Sequence, residues 1–309
     1  MADAVTVHDL HKNFAGEHAL AGVSFNVGEG CLFGLIGADG AGKTTLLRIL
    51  TTLGEFDKGS VSVLGKDAVK NFKALRLILG YMPQKFSLYQ DLSVRENILF
   101  FADIFGVGPA QRLERMNRLL SFSRLSNFQN RRARDLSGGM KQKLALSCAL
   151  IHTPKILVLD EPTTGVDPVS RREFWNILFD LKKQGTTIIV STPYMDEAQQ
   201  CDELLFLHHG KIIRHGNPET ILAQYPYALF SGEGAGGTML FHPGSGKTPQ
   251  GIELMYPAQG SLHIATELQN FSEGDVLLKI KSVVPEAESI RKINPNIEDL
   301  FIYLLSKSN

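Results

Sequence analysis

Gly37-Ala38-Asp39-Gly40-Ala41-Gly42-Lys43-Thr44 fits G-x-x-x-x-G-K-[ST], and it stands between an apolar run and a second one that opens at Thr45. After a strand and before a helix, such glycines let backbone N–H groups turn inward around phosphates. Lys43 then reaches the β- and γ-phosphates, and the Thr44 hydroxyl ligates Mg²⁺. Ile156-Leu157-Val158-Leu159-Asp160-Glu161 is an apolar run ending in two carboxylates, where a nucleotide site needs a metal ligand and a base. Asp160 would hold the metal through water, and Glu161 would orient the attacking water. Acidic residues also end strands as helix caps, so the pair takes its meaning from the phosphate loop upstream. Gly244-Ser245-Gly246-Lys247-Thr248 repeats G-K-T, but Phe241 stands where the first glycine is needed and Pro249 blocks a helix start. This second copy is assigned no nucleotide.

Between the two elements lies Leu136-Ser137-Gly138-Gly139-Met140, followed by an apolar helical stretch to Ile151. Ser137 and the Gly138 and Gly139 amides at a helix N-terminus make an anion site. Taken alone, the same residues also suit an ordinary Ser-capped helix. The phrase L-S-G-G-M-K-Q-K-L-A-L resembles the signature of ATP-binding cassette (ABC) ATPases, and other parts fall in that family's order. Phe14 sits where the family stacks an aromatic on adenine; the alternative is a core phenylalanine. Gln84, in Tyr81-Met82-Pro83-Gln84, resembles the glutamine that touches Mg²⁺ and water. Thr164-Gly165-Val166-Asp167-Pro168 resembles the loop that lies across the cassette dimer.

The resemblance spans about residues 5–220 and is nearest to the first cassette of bacterial tandem-cassette drug-efflux ATPases. It implies an α/β P-loop NTPase fold with a RecA-like core sheet, an antiparallel β subdomain and a helical subdomain. It also implies an ATP-hydrolysing exporter subunit that uses ATP and Mg²⁺. Nucleotide contacts would come from Phe14, Gly37, Asp39, Gly40, Ala41, Gly42, Lys43, Thr44 and Thr45, metal contacts from Thr44, Gln84 and Asp160, and catalysis from Lys43, Gln84 and Glu161. Ser137, Gly138, Gly139 and the Asp167 loop would serve the opposite cassette. Two departures stand out. Asp39 occupies a position where asparagine is commonest, and its charge either lowers nucleotide affinity or points outward. Ser191-Thr192-Pro193-Tyr194-Met195-Asp196-Glu197-Ala198 matches the switch-histidine loop, but Pro193 takes the histidine position; His208 and His209 lie beyond the next strand and do not replace it. A site without that donor is slow, which favours a hetero-dimer with a different cassette over a homo-dimer and keeps a hydrolysis-poor regulatory role open.

The elements that must position these residues show in the patterning. From Val5 to about Thr220, β-branched and apolar runs alternate with helical ones, the mark of an α/β sheet. Buried strands are expected at 31–36, 79–82, 156–160 and 186–191, a helical insert at 93–128 and a helix at 169–183. Domain boundaries are set at 1–220 for the cassette, with its helical subdomain at about 85–150, and at 221–309 for a small α+β accessory domain. That second part holds a glycine cluster at 232–237, an expected strand at 276–280, and a closing helix at 296–305 with Ile297, Leu300, Phe301 and Leu304 on one face.

The chain has 309 residues, 43% of them hydrophobic, enough for one large or two smaller cores. Its 32 Lys+Arg balance 32 Asp+Glu, so no net field favours nucleic acid, and the short run Arg131, Arg132, Arg134 reads as a solvated face. A soluble ABC protein acting on nucleic acid or ribosomes is the weaker reading, since such proteins usually carry tandem cassettes and basic linkers. Cys31, Cys148 and Cys201 lack pairing or metal spacing, which suits a reducing, cytoplasmic compartment. The N-terminus lacks a signal-peptide pattern, and apolar stretches fall short of the roughly 18 to 20 residues of a membrane helix. Transmembrane permease subunits would therefore be separate chains. Phe86, Leu88, Tyr89, Phe100 and Phe101 are expected to offer them more apolar surface than a small insert can bury, at the cytoplasmic face of the membrane.

Overall fold

Residues with alternating burial carry β1 (Asp3–Phe14) and β2 (Glu17–Gly28) into an antiparallel hairpin. The computed structural model describes residues 2–85, 87–233, 249–258, 260–267, 271–282, 284 and 287–308. β3 (Leu32–Ile36) is buried at every position, as a strand covered on both faces must be. The glycine-rich loop then leads to α1 (Lys43–Leu50), β4 (Lys58–Val63), β5 (Lys66–Asp67), α2 (Phe72–Arg76) and β6 (Leu79–Met82). The insert supplies α3 (Val94–Ile104), α4 (Pro109–Phe122) and α5 (Gly138–Leu150), with two short 3₁₀ turns before α5. β7 (Ile156–Asp160), α6 (Pro168–Lys183), β8 (Thr187–Ser191), α7 (Met195–Ala198), β9 (Glu203–His208) and β10 (Lys211–Gly216) complete the first of two compact units, which ends at Pro218.

Among the described residues, the strands of this unit form a four-stranded sheet ordered β2-β1-β4-β5 and a six-stranded sheet ordered β10-β9-β3-β8-β7-β6. In the larger sheet β6, β7, β8, β3 and β9 run parallel and β10 returns antiparallel. Parallel order sets the C-terminal ends of β3, β8 and β7 side by side, the edge at which such sheets place ligands. Phe33, Leu35, Leu46, Leu47, Val158 and Ile189 belong to one core beneath that edge. The insert has its own core, in which Leu88, Val94, Ile98, Met116, Leu120 and Leu144 are buried. α3 begins on a full capping box, Ser93 accepting from Glu96 N and Glu96 reaching back to Ser93 N.

The second unit begins at Glu219, within α8 (Pro218–Leu222), and continues through β11 (Ala228–Glu233), β12 (Ile252–Ala258), β13 (Ser261–Thr266), α9 (Glu273–Lys281), β14 (Ser289–Ile293) and α10 (Ile297–Ser308). Its described strands form an antiparallel sheet ordered β12-β13-β11-β14. Residues 276–280, expected as a strand, are helical. Ser272 and Asp275 close a capping box at the start of α9, and Val276 and Ile280, four apart, fall on one buried face against Phe230 and Ile264. In α10, Ile297, Leu300 and Leu304 are buried as their spacing requires. The glycines at 234–237 and the second G-K-T copy at 244–248 lie outside the described residues.

Candidate active site

Gly42 caps α1 with φ +106°, and a Cβ there would lie 2.3 Å from Ala19 O of β2, so conformation and space both require glycine. That approach seats the β1–β2 hairpin against the loop. From the β9–β10 turn, Gly210 N donates to Ala41 O at 3.0 Å. Lys43, only 5% exposed, reaches back across the loop, and its Nζ donates to Gly37 O at 2.8 Å and Ala38 O at 3.2 Å. Asp39 and Gly40 are exposed, Ala41 is buried, and Thr44 and Thr45 occupy the first turn of α1, exposed and half-buried. Phe14, at the end of β1, is 54% exposed with Lys12 Nζ 5.2 Å from its ring centroid, so it is an open aromatic face and not a core side chain.

β7 delivers the two carboxylates. Asp160 is fully buried; its Oδ1 accepts from Ser191 Oγ at 2.7 Å and its Oδ2 has no partner. Glu161 leaves the strand at φ +47°, the left-handed region, where its carboxylate meets two other candidates. Its Oε1 lies 3.4 Å from Lys43 Nζ, and its Oε2 accepts from Gln84 Nε2 at 2.9 Å and from Thr164 Oγ1 at 3.4 Å. The parallel pairing of β6 and β7 brings Gln84 to this point.

The signature residues gather elsewhere. Ser137 caps α5, its Oγ accepting from Met140 N at 3.3 Å, with Ser137 and Gly138 exposed. A Cβ on Gly139 would sit 2.5 Å from Ser170 Cβ, so α5 packs directly on the start of α6. Lys143 of α5 pairs with Glu173 of α6. Asp167 caps α6, accepting from Val169 N at 3.1 Å and Ser170 N at 2.9 Å; the Ser170 amide foremost holds its carboxyl below the usual carboxylate range. Among the described residues, no hydrogen bond or ion pair joins Ser137, Gly138 or Gly139 to Lys43 or Glu161.

Pro193 is exposed and its neighbours are engaged. Tyr194 N donates to Thr192 Oγ1 at 3.1 Å, and the Arg171 guanidinium lies 4.6 Å from the Tyr194 ring centroid. Buried Glu197 accepts from Thr163 Oγ1 at 2.7 Å and from Thr192 Oγ1. Burial pushes the Glu197 carboxyl up, against the pull of those two hydroxyls. The sequence reading missed the roles of Ser191 and Glu197. Ser191 is a hydroxyl closing an apolar strand, and Glu197 looks like any acid in a helix first turn; only strand order shows what each one faces.

The aromatic loop is less open than its composition suggests. Leu88 is buried in the insert core and Phe100 and Phe101 are half-buried, because Asn97 ties the loop down from α3, donating to Tyr89 O at 3.0 Å and accepting from Tyr89 N at 3.0 Å. Tyr89 itself is 49% exposed, its ring edge-on to Phe100 at 4.5 Å. Phe86 lies outside the described residues.

A family model described as "ABC transporter" matches residues 20–164. The probable multidrug ABC transporter ATP-binding protein YbhF of Escherichia coli is 47% identical over 224 residues, covering 72% of this chain and 39% of YbhF. The chain thus matches about two fifths of that relative's length. The Nod factor export ATP-binding protein I of Rhizobium sp. strain N33 is 39% identical, covering 72% of this chain and 73% of the relative. A dimeric post-hydrolysis structure of the ATP-binding cassette MJ0796, bound to ADP and Pi, matches with a TM-score of 0.65 at 25% identity, covering 69% of this chain and 98% of that one.

Proposed function

Since this chain belongs to the ABC transporter ATP-binding family, we propose that it clamps ATP between its own phosphate loop and the signature of a second cassette, and hydrolyses it to drive export through separate membrane subunits. The convergence of Lys43 and Gln84 on Glu161 carries this reading. A buried carboxylate with a cation on one oxygen and an amide donor on the other is held in one orientation, as a base for water must be. Lys43 would exchange the Gly37 and Ala38 carbonyls for phosphate oxygens, Phe14 would stack on adenine, and the amides at the start of α1 would receive the β-phosphate.

A fully buried carboxylate oxygen without a partner, Asp160 Oδ2, fits a divalent cation, since burying it bare is costly. Thr44, Gln84 and Asp160 would hold Mg²⁺, which would offset charge on the phosphate oxygens when bound. Ser137, Gly138, Gly139 and the Asp167 loop would complete the site of the partner cassette.

Residues 1–220 are assigned as the cassette and 221–309 as an accessory domain. No described helix is long and apolar enough to cross a membrane. The transporter role named for YbhF and the export role named for the Nod factor protein support membrane partners and a place at the cytoplasmic face. A groove of about 260 Å³ between the core sheet and the insert, lined by Leu53, Arg76, Tyr81, Leu88, Phe101 and Phe105, offers those partners a docking place next to the Gln84 loop. Pro193 favours pairing with a different cassette and slow hydrolysis at this chain's own site. Coexpression of the full chain with a second cassette and membrane subunits tests the assignment. ATP-dependent membrane association supports it, whereas a chain that never enters the membrane fraction refutes it.

A further inference from the structure

Ser191 is the last residue of β8, fully buried, and lies in register with Leu35 of β3 on one side and Asp160 of β7 on the other. It therefore stands between the strand that leads into the phosphate loop and the strand that ends in the carboxylates. A serine hydroxyl has one proton to give and lone pairs to receive, and both capacities are used here. Oγ donates to Asp160 Oδ1 at 2.7 Å and accepts from Glu161 N at 2.9 Å, while Ser191 O lies 3.2 Å from the same amide.

These contacts have consequences for two neighbouring residues. With Oδ1 occupied, the Asp160 carboxylate cannot spin freely, and Oδ2 is left as the oxygen without a protein partner. With its N–H held, Glu161 is fixed in the left-handed conformation, φ +47°, from which its carboxylate reaches Lys43 and Gln84. We infer that Ser191 is the positioning residue of this site, orienting Asp160 toward metal and Glu161 toward water through one buried hydroxyl. The inference rests on the ATPase reading above.

The test uses the full chain, with a fluorescent ATP analogue titrated with and without Mg²⁺, and with Mn²⁺ binding followed by electron paramagnetic resonance. Loss of a hydrogen bond to a charged group predicts that Ser191→Ala raises half-saturating Mg²⁺ about tenfold, leaves metal-free analogue affinity within about twofold, and is reversed by Ser191→Thr. An equal loss of affinity with and without metal would show general collapse of the site and overturn the inference, as would an unchanged Mg²⁺ requirement. Asp160→Asn is measured alongside. If it shifts the Mg²⁺ requirement while Ser191→Ala does not, the Ser191 inference fails and the metal assignment stands. If Asp160→Asn shifts nothing, the metal assignment fails and the Ser191 inference falls with it. Should Ser191→Ala not fold, Ser191→Cys supplies the same comparison with a near-isosteric, weakly bonding group.

Discussion

Gln84 Nε2 donates to Glu161 Oε2 at 2.9 Å across 77 residues of sequence, while the other oxygen of that carboxylate lies 3.4 Å from Lys43 Nζ. One side chain thus links the phosphate loop, the end of β7 and the loop that enters the helical insert. On the reading proposed above, a displacement of the insert would reach Glu161 through Gln84, and phosphate drawing Lys43 away would free the oxygen that Lys43 faces.

Glu161→Gln keeps the size of the side chain and an acceptor for Gln84 but removes the base and the charge that faces Lys43. Single-turnover ATP hydrolysis is expected to fall by about 10² or more, the range for losing a general base, while ATP affinity changes by less than about threefold. Quench-flow on the full chain reads the first quantity and calorimetry the second. Hydrolysis that survives the substitution would move the base elsewhere.

Much of the candidate site's local structure was legible in the sequence because its parts are contiguous phrases: the glycine-rich loop before α1, the Ser-capped start of α5 and the acidic end of β7 each carry their own glycine, cap or apolar flank. The four buried strands could be read for the same reason, their runs being continuously apolar and bounded by turn residues. Pairwise relations were not legible. That Gln84 meets Glu161 depends on β6 lying beside β7, and that Ser191 meets Asp160 depends on β8 lying between β3 and β7. Residues 276–280 misled because Val276 and Ile280 favour strands by type, whereas the Ser272 cap and the four-residue spacing decide for helix. The aromatic loop misled because composition cannot show that Asn97 folds it down.

Lys43→Ala removes the cation that spans Gly37 O, Ala38 O and Glu161. A charge-assisted contact to phosphate contributes roughly 1.5 to 3 kcal/mol, so ATP affinity should fall at least about tenfold. Calorimetry on wild type and variant decides. Equal affinities would remove the nucleotide from this loop.

Glu197 sets a pH dependence of stability. Burial raises its folded pKa above the ordinary 4.5. Between those two values the native state keeps a proton that the unfolded chain has lost, so this contribution is fullest below the unfolded pKa and is lost as pH rises through the folded one. Glu197→Gln stays neutral throughout, and its melting temperature should therefore decline less than that of wild type as pH rises above the ordinary 4.5. Glu197→Ala leaves the Thr163 and Thr192 hydroxyl protons without their carboxylate acceptor and should cost about 1 to 3 kcal/mol. Parallel melting curves for wild type and Glu197→Gln across this range would contradict the assignment.

Tyr89 is an exposed aromatic of the loop after Gln84 and adjoins Leu88, which with Phe101 helps to line the groove. Because Asn97 grips the backbone of Tyr89 and not its side chain, Tyr89→Asp should leave the loop and ATP affinity intact. Burying a new charge against an apolar partner is costly, so membrane association should drop at least about tenfold. Fractionation of cells coexpressing the membrane subunits measures it. Unchanged association for Tyr89→Asp and Leu53→Asp together would place the docking surface elsewhere.

Pro193, by the resemblance of its loop, would stand where the family carries its switch histidine. Proline has no side-chain donor, and Tyr194 is a poor substitute: its amide is spent on Thr192 Oγ1 at 3.1 Å and its ring lies under Arg171. The site should therefore lack one donor to the developing phosphate charge, a kind of contact whose loss costs about 10² to 10³ in rate. Glu161 keeps its partners, so slow hydrolysis is expected and not none. Ser137 and Gly138 are exposed at the start of α5, where with Gly139 they would complete an active site on the opposing cassette. The wild-type chain alone should turn over slowly, Pro193→His should raise its rate, and coexpression with a cassette that carries the histidine should restore full turnover at one of two unequal sites. Steady-state ATPase assays on the three preparations separate the possibilities. Fast turnover by the wild-type chain alone, indifferent to Pro193→His, would instead establish a self-sufficient homodimer.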